Sequence, residues 1–389
     1  MNVIALVDCD SFFVSCEQKV NPELKGKPVC VLSNKDGCVV SRSKEAKKMG
    51  VRMGQPYFLA KDEFPKAVYV SAHHDLYCEI SNQVMNLLRE LSPKVQVYSV
   101  DEAFIDLTGL KRLYKKNYLE LARFIREQVK EKVDIPVSIG VSSTKTLAKL
   151  ASDKAKKTDD GVYLIGNRKI HKVLYNTKIE EIWGIGRNLT ALFRKSGVIT
   201  AADLVSKDDI WLDDKIGIRG LEMKHELLGE IVSPVINEEK LPKSVQKTSA
   251  FGLFTSDLNF IQNQLNYHIH SACRKLRKID CKAYVIGVML RTKDFKVIYD
   301  KKLLAVPTDF EMEISDIAFE LLKNIYNPDI LYRSTGIILD GLRCNDEKQL
   351  FLFSDTDADL KKEKLSKCFD KLESKFGKDI IQIGFVKEK

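Results

Sequence analysis

The sequence predicts a multidomain α+β protein in which two units of order β-α-β-β-α-β flank a region of short helices. Three observations carry that prediction. The chain has 389 residues, enough for two or three domains of roughly 150 residues each. Apolar residues make up 44% and charged residues 30%, the balance of a globular chain rather than a disordered or collagen-like one. The spacing of apolar residues switches between strand-like runs and helical periodicity, twice, in the same order.

Residues 3–8 are an apolar run closed by Asp8, with the length and flanks of a buried strand. Residues 79–91 carry Val84, Leu87, Leu88 and Leu91 at helical spacing. Residues 95–100 and 103–107 read as strands joined at Asp101-Glu102. Residues 118–133 set Leu119, Ala122, Ile125 and Val129 on one side of a helix, and residues 137–141 read as a strand. This is the split βαβ, or ferredoxin-like, order, with residues 12–78 inserted between the first strand and its helix. Beyond Gly161 the pattern becomes short helices, and Trp183-Gly184-Ile185-Gly186 predicts a helix, a tight turn and a second helix. Residues 233–244, with two prolines and several charges, predict a linker. Residues 245–254, 258–278, 283–291, 296–305, 309–326 and 332–342 repeat β-α-β-β-α-β as a separate domain. A second linker covers 343–356, and 358–376 is an amphipathic helix.

Sixty-three Lys and Arg against 54 Asp and Glu leave a net charge of +9, which favours a polyanionic partner. No apolar run approaches the ~18 residues of a membrane span. The first apolar run ends at Asp8, too soon for a signal peptide, so a cytoplasmic location is expected. Nine cysteines without a C-x-x-C pair argue against a disulfide framework or a zinc site and predict reduced, mostly buried thiols.

Asp8 ends the first strand, and Asp101 and Glu102 sit at the apex of the central hairpin. In a split βαβ sheet these strands can be neighbours. Strand-end acids are ordinarily solvated; three that converge repel one another unless cations hold them. Oxygen ligands suit Mg²⁺, and a pair of such ions serves in-line phosphoryl or nucleotidyl transfer.

Three segments extend that reading: Val7-Asp8-Cys9-Asp10-Ser11-Phe12-Phe13, Tyr98-Ser99-Val100-Asp101-Glu102-Ala103-Phe104, and Ser138-Ile139-Gly140-Val141-Ser142-Ser143-Thr144-Lys145-Thr146-Leu147-Ala148-Lys149. They resemble the signature segments of Y-family DNA polymerases. Leu32-Ser33-Asn34-Lys35-Asp36-Gly37-Cys38 resembles the UmuC-type branch, the catalytic subunit of SOS lesion-bypass polymerases. The resemblance implies a palm (1–12 and 79–166), inserted fingers (13–78), a helical thumb with a helix–hairpin–helix (167–233), a βαββαβ little finger (243–343) and a tail (344–389). It implies that Asp8, Asp101 and Glu102, with the Cys9 carbonyl, hold two Mg²⁺ ions, while the Asp10 and Asp106 side chains are structural or solvated. Phe13 falls at the family's steric gate, a ring under the sugar that collides with a 2′-hydroxyl, and Phe12 packs inward. Backbone N–H groups of the Asp10-Ser11-Phe12-Phe13 turn would meet the triphosphate.

Ser41, Lys44 and Lys47 are placed on one helical side as further phosphate contacts. Many family members have tyrosine and arginine where this chain has Lys44 and Lys47, and lysine lacks arginine's bidentate fork. Ser143 is the expected cap of a helix running to about Lys156, with Lys145, Lys149 and Lys156 in one stripe. The resemblance sends Lys156 to the triphosphate; Lys145 and Lys149 can be structural.

Gly184, Ile185 and Gly186 resemble a turn whose N–H groups meet a DNA phosphate without reading sequence. Between Lys243 and Lys302, twelve Lys and Arg face four acids, nearly the whole excess of the chain. That concentration suggests a phosphate-tracking surface, with Lys243, Lys247 and Arg291 as candidates and the helical Arg274-Lys275 and Arg277-Lys278 pairs merely solvated. Gln349-Leu350-Phe351-Leu352-Phe353 matches a sliding-clamp-binding peptide in which Gln349, Leu350, Leu352 and Phe353 are the contacts.

The expected function is error-prone, template-directed DNA synthesis opposite damaged bases, without a proofreading exonuclease. Its partners would be primer-template DNA, deoxynucleotides, a sliding clamp, and UmuD-like and RecA proteins, with no membrane. A non-catalytic DNA- and clamp-binding relative is the alternative, opposed by the intact Asp8, Asp101 and Glu102. A nucleotide cyclase built on a similar sheet is opposed by the separate DNA-holding regions.

Overall fold

The computed structural model describes residues 2–34, 37–237, 241–344 and 356–377. It divides into two compact units, Met1–Glu239 and Lys240–Lys389.

In the first unit, β1 (Ile4–Cys9) leads into α1 (Phe12–Val20). A small sheet follows, made of β2 (Val29–Leu32), β3 (Val39–Arg42) and β4 (Val68–Ser71), with α2 (Lys44–Met49) and α3 (Tyr57–Glu63) between its last two strands. Then come α4 (His74–Leu91), β5 (Val95–Val97), β6 (Glu102–Asp106), α5 (Leu110–Tyr114), α6 (Tyr118–Val133), β7 (Val137–Ser142), α7 (Lys145–Ala155) and β8 (Val162–Leu164). The main sheet has the order β5-β6-β1-β7-β8. Its first four strands are the ferredoxin-like arrangement; β8, parallel to β7, is an addition too short to show a period in sequence.

The all-apolar run of β1 is explained by burial on both faces. Val3, Ala5, Val7 and Cys9 join a core with α1, α4 and α6. Ile4 and Leu6 join a second cluster with Phe104, Ala148 and Val235. Helix α7 can lie against that second face because Gly140 has no side chain: a Cβ there would stand 1.9 Å from the Ser152 amide nitrogen. Leu147, Leu150 and Ala151 of α7 also enter the core of a helical region. That region contains α8 (Ile170–Tyr175), α9 (Arg187–Lys195), α10 (Ala201–Val205), α11 (Asp209–Ile216) and α12 (Ile218–Leu228).

Several expectations change here. Val14 and Cys16 of α1 share the core of the main sheet, so this part of the inserted segment packs with the sheet that precedes it. The strand expected at 95–100 stops at Val97, and Ser99 and Asp101 form a hydrogen-bonded turn. Ser43, not Ser41, begins the turn into α2 as its cap, so Ser41 lies on β3 rather than on a helix with Lys44 and Lys47. Thr144 rather than Ser143 caps α7, its hydroxyl accepting from Leu147 N–H at 3.3 Å. The presumed linker is strapped to the sheet: Val235 is buried in the second cluster, and Asn237 Oδ1 accepts from Val95 N–H at 2.8 Å.

The second unit runs β9 (Ser244–Thr255), α13 (Leu258–Lys278), β10 (Cys281–Thr292), β11 (Val297–Thr308), α14 (Glu311–Ile325), β12 (Tyr332–Cys344) and α15 (Thr356–Phe376). Its antiparallel sheet has the order β11-β10-β12-β9. Ile261, Leu265, Ile269, Ile314 and Leu322 of the helices pack on Ile286, Val288, Leu290, Ile337 and Leu339. Cys281 is disulfide-bonded, a correction to the expectation of reduced thiols, and Cys344 stands opposite it in the strand register. The thiols of Cys9, Cys16, Cys30 and Cys273 are free and buried, while Cys78 and Cys368 are exposed. Residues 349–353, the candidate clamp peptide, lie outside the described residues. Among the described residues no helix is long and apolar enough to cross a membrane.

Candidate active site

The central position of β1 builds the site. Its register sets Asp8 opposite Glu102 of β6 and Ser138 of β7. Asp8 is 4% exposed, so its carboxylate is held out of water at the sheet's end. Lys156 Nζ donates to Asp8 Oδ2 at 2.6 Å. Lys149, from the middle of α7, donates to Glu102 Oε1 and stands 3.7 Å from Asp8 Oδ2. The lysine stripe therefore delivers two ammonium groups onto two neighbouring carboxylates.

Electrostatics follow from that crowding. Burial, then the Asp8 carboxyl beside it, pushes Glu102 up to about 7 despite Lys149. Burial disfavours the Lys156 ammonium, but Asp8 outweighs it and holds this group above the ordinary lysine value. The Cys9 thiol is raised well above its usual range by burial and by Asp101 and Asp8. Such a thiol stays protonated, which leaves the backbone carbonyl as the ligand that Cys9 can offer.

Asp101 is oriented differently. Its carbonyl accepts from Cys9 N–H at 2.9 Å, which locks the hairpin apex to the end of β1. Its carboxylate accepts from the Ser99 hydroxyl. The expected three-acid convergence is thus an adjacent pair, Asp8 and Glu102, with Asp101 alongside. Among the described residues no group of three His, Cys, Asp or Glu stands ready to hold a metal ion. The pair nevertheless fits a hard cation. Its donors are all oxygen, it is desolvated, and positive charge already sits between its members as the Lys149 ammonium.

The turn after β1 is specific in its use of polar groups. Asp10 N–H donates to Pro136 O at 2.9 Å, so this amide is spent inside the fold rather than offered to a phosphate. The Asp10 carboxylate accepts from Ser138 Oγ at 2.8 Å, and burial raises its pKa. Ser11 stands at φ 47°, a sharp entry to α1, and its hydroxyl accepts from Lys47 Nζ at 2.9 Å. Burial and the nearby Arg42 lower the Lys47 pKa. Lys44 is exposed at the start of α2, and Ser41 is buried on β3. Phe12 is 3% exposed, while the Phe13 ring is half-buried beside it.

Other expected contacts are redistributed. Lys145 donates to Gln96 Oε1 at 2.6 Å and Ser233 Oγ at 3.1 Å, a structural tie. Trp183 packs on Tyr98 and Phe104, with centroids 5.2 and 5.7 Å away. Gly184 takes the φ of 93° that the following turn requires, and Gly186 precedes α9. Ile185 is buried and its N–H already donates to Ile182 O at 3.0 Å, so this residue is not a phosphate donor in this structure.

In the second unit, Lys247 pairs in register with Ile337, a core residue, and therefore shares the helix-covered face. The uncovered face takes Gln246 and Thr248 instead. Arg291 pairs with Val297 and Ser334 on that uncovered face, and Lys243 is exposed just before β9. Lys301, opposite Gly287, is on the same uncovered face as Arg291 and was visible in sequence only as one more basic residue. The Arg274 and Arg277 cluster is not simply solvated. Arg277 makes paired bonds of 2.8 Å to Asp370 of α15, and Arg274 stands 3.3 Å from Glu373.

Sequence reading missed Lys149 as a partner of the acids. The available signal was its i, i+7 relation to Lys156, two helical turns that bring both to the same end of the sheet.

The sequence matches the model described as the impB/mucB/samB family over residues 7–153 and that family's C-terminal domain over residues 242–352. Protein UmuC of Salmonella typhimurium is 33% identical across 97% of this chain and 92% of that protein. DNA polymerase IV of Dehalococcoides mccartyi is 30% identical across 97% and 96%. Among solved structures, a Y-family DNA polymerase chimera of Dbh and Dpo4 aligns with a TM-score of 0.75 at 30% identity, covering 88% of this chain and 100% of that one. An insertion ternary complex of Dbh DNA polymerase aligns with a TM-score of 0.61 at 28% identity and the same coverage.

Proposed function

This chain belongs to the impB/mucB/samB family and is a Y-family, DNA-directed DNA polymerase; from that premise we propose that it performs error-prone synthesis opposite damaged bases in an SOS-type response. The observation that supports the catalytic assignment is the Asp8–Glu102 pair held by Lys149 and Lys156 at the end of the central strand. Asp8, Asp101, Glu102 and the Cys9 carbonyl would hold two Mg²⁺ ions, which when bound supply activation of the primer 3′-hydroxyl and charge neutralisation on the triphosphate.

The chain's own residues do the remaining work. Lys156 leaves Asp8 and takes up the triphosphate, an exchange of one anion for another across a short reach. Lys47 and Ser11, already bonded to each other, meet the phosphates from the turn, with Lys44 adding charge from α2. Phe13 stands under the sugar and rejects a 2′-hydroxyl. Backbone N–H groups at Gly184 and Gly186, with Arg291, Lys243 and Lys301, contact DNA phosphates without reading sequence. Residues 349–353 bind a sliding clamp in the cytoplasm, and a UmuD-like subunit and RecA are the partners that a UmuC-like chain would recruit.

Primer extension with Mg²⁺ and four deoxynucleotides tests this reading. Asp101→Ala should reduce extension by about 10³-fold or more while leaving DNA affinity nearly unchanged, because several kcal/mol of charge stabilisation are removed from the reaction alone. Wild-type rates in the folded variant would refute the catalytic assignment. Replacing Leu352 and Phe353 by alanine should weaken clamp binding by roughly 30-fold or more, without loss of clamp-free extension.

A further inference from the structure

The ring assigned to sugar selection does not stand alone. Phe13 is stacked on Tyr77 of α4, with centroids 4.5 Å apart and planes 14° from parallel. His74 meets Phe13 edge-on at 6.2 Å and 89°. Tyr77 is 1% exposed and belongs to the core of the main sheet. Its hydroxyl donates to Glu17 Oε1, and His73 Nδ1 stands 2.8 Å from the same oxygen. Glu17 lies one helical turn after Phe13 on α1 and is itself 6% exposed. A carboxylate is costly to bury unless its bonds are made, so this one is held for what it holds. Burial and Glu17 both raise the Tyr77 phenol, which keeps it a neutral donor.

We propose that Tyr77 is a specificity-determining residue for sugar choice, the rigid backing of the Phe13 gate, and that Glu17 is the positioning residue that locks it. The inference rests on the reading of Phe13 as the gate. A steric gate discriminates only if it does not yield. A 2′-hydroxyl adds one oxygen, and a ring that recedes by a fraction of an ångström admits it. Phe13 is itself only half-buried, so its resistance comes from the face packed on Tyr77. Tyr77 cannot retreat because a close-packed core lies behind it and its hydroxyl is tied to Glu17. Two rings and one buried carboxylate thus act as a single wall.

The test compares Phe13→Ala, Tyr77→Leu and Tyr77→Phe by single-nucleotide insertion, measuring kcat/KM for a ribonucleotide and for the matching deoxynucleotide, with melting temperatures alongside. Tyr77→Leu should reduce the deoxy-to-ribo ratio by about tenfold, the size of effect a modest change in a pocket wall produces. The change should come from a rise in ribonucleotide use. Tyr77→Phe keeps the ring, removes the hydroxyl that ties it to Glu17, and should reduce the ratio by about threefold, in line with the loss of a hydrogen bond. Should Tyr77→Leu fail to fold, Tyr77→Phe decides the question by the same ratio. A wild-type ratio in the folded Tyr77 variants, with relaxed selection in Phe13→Ala, overturns the backing role. A wild-type ratio in Phe13→Ala as well overturns the gate reading beneath it. Parallel losses of ribo- and deoxynucleotide use would make Tyr77 merely structural and also overturn the proposal.

Discussion

The two α+β units share one order of elements and differ in where the first strand lands. In the first unit β1 lies between β6 and β7, and every residue of it is buried. In the second, among the described residues, β9 pairs only with β12 and forms an edge, with most of its residues exposed or half-exposed. A central strand covered on both faces can hold a carboxylate at its end out of water and against a neighbour's, which is how Asp8 and Glu102 meet. An edge strand with one bare face cannot sequester charge but can display a broad surface. The same string of elements therefore yields a desolvated site in one unit and an open sheet face in the other.

The largest expected effect breaks this contrast at the central strand. Asp8→Ala should reduce primer extension by about 10³-fold or more, with DNA affinity retained. Gel-shift and extension assays on the same preparation check it; activity near wild type would remove the chemistry from the end of β1. Next is the helix that covers the central strand's second face. Gly140→Ala should destabilise the first unit by about 3 kcal/mol, because a methyl group would press on the α7 backbone, which has no flexible end to move aside. Urea unfolding measures it, and a change under about 0.5 kcal/mol would mean that α7 can shift.

A third prediction concerns α15 in the second unit. His270 lies between Glu311 at 3.0 Å and Glu373 of α15 at 2.6 Å, and Glu311 leads in raising it to about 9. A histidine raised in the folded state stabilises fully below its unfolded value of about 6.5, and that stability is lost as pH rises through 9. Unfolding free energy of the second unit should fall by about 2 kcal/mol between pH 6 and 9.5. His270→Gln should flatten that slope; an unchanged slope would assign the pH dependence elsewhere.

The smallest effect sharpens the contrast within the open sheet. Arg291→Ala should weaken DNA binding and reduce the slope of log affinity against log salt by about 0.9, the share of one phosphate contact. Lys247→Ala should leave the slope within experimental error, because its register places it on the helix-covered face. Equal effects from both would mean that net charge alone, not the uncovered face, holds DNA.

Much of this was legible in the residues. The apolar run of β1, the helical spacing of α4 and α6 and the repeated βαββαβ order all register as local periodicity, and local periodicity is what a linear sequence displays. The tight turn at Gly184 was legible because its positive φ requires glycine. What escaped was set by distant partners. Residues 233–237 carry the composition of a linker, yet Val235 fills a gap over β1 and Asn237 satisfies a strand-end amide. Arg274 and Arg277 read as solvated because nothing nearby in sequence announces Asp370 and Glu373, nearly a hundred residues on.

The candidate site divides along the same line. Sequence by itself determined which residue types were available: Asp8 at a strand end, Asp101 and Glu102 at a hairpin apex, and lysines spaced along one helical stripe. Only the tertiary structure decided their partners. It paired Asp8 with Glu102, turned Asp101 toward Ser99, brought Lys149 and Lys156 onto the acids, and moved Lys247 off the uncovered face. The physical reason is that residue type and period are properties of one segment, whereas register, sheet order and the burial of a charge are properties of two or more segments at once. They are settled when strands pair and a helix closes over them.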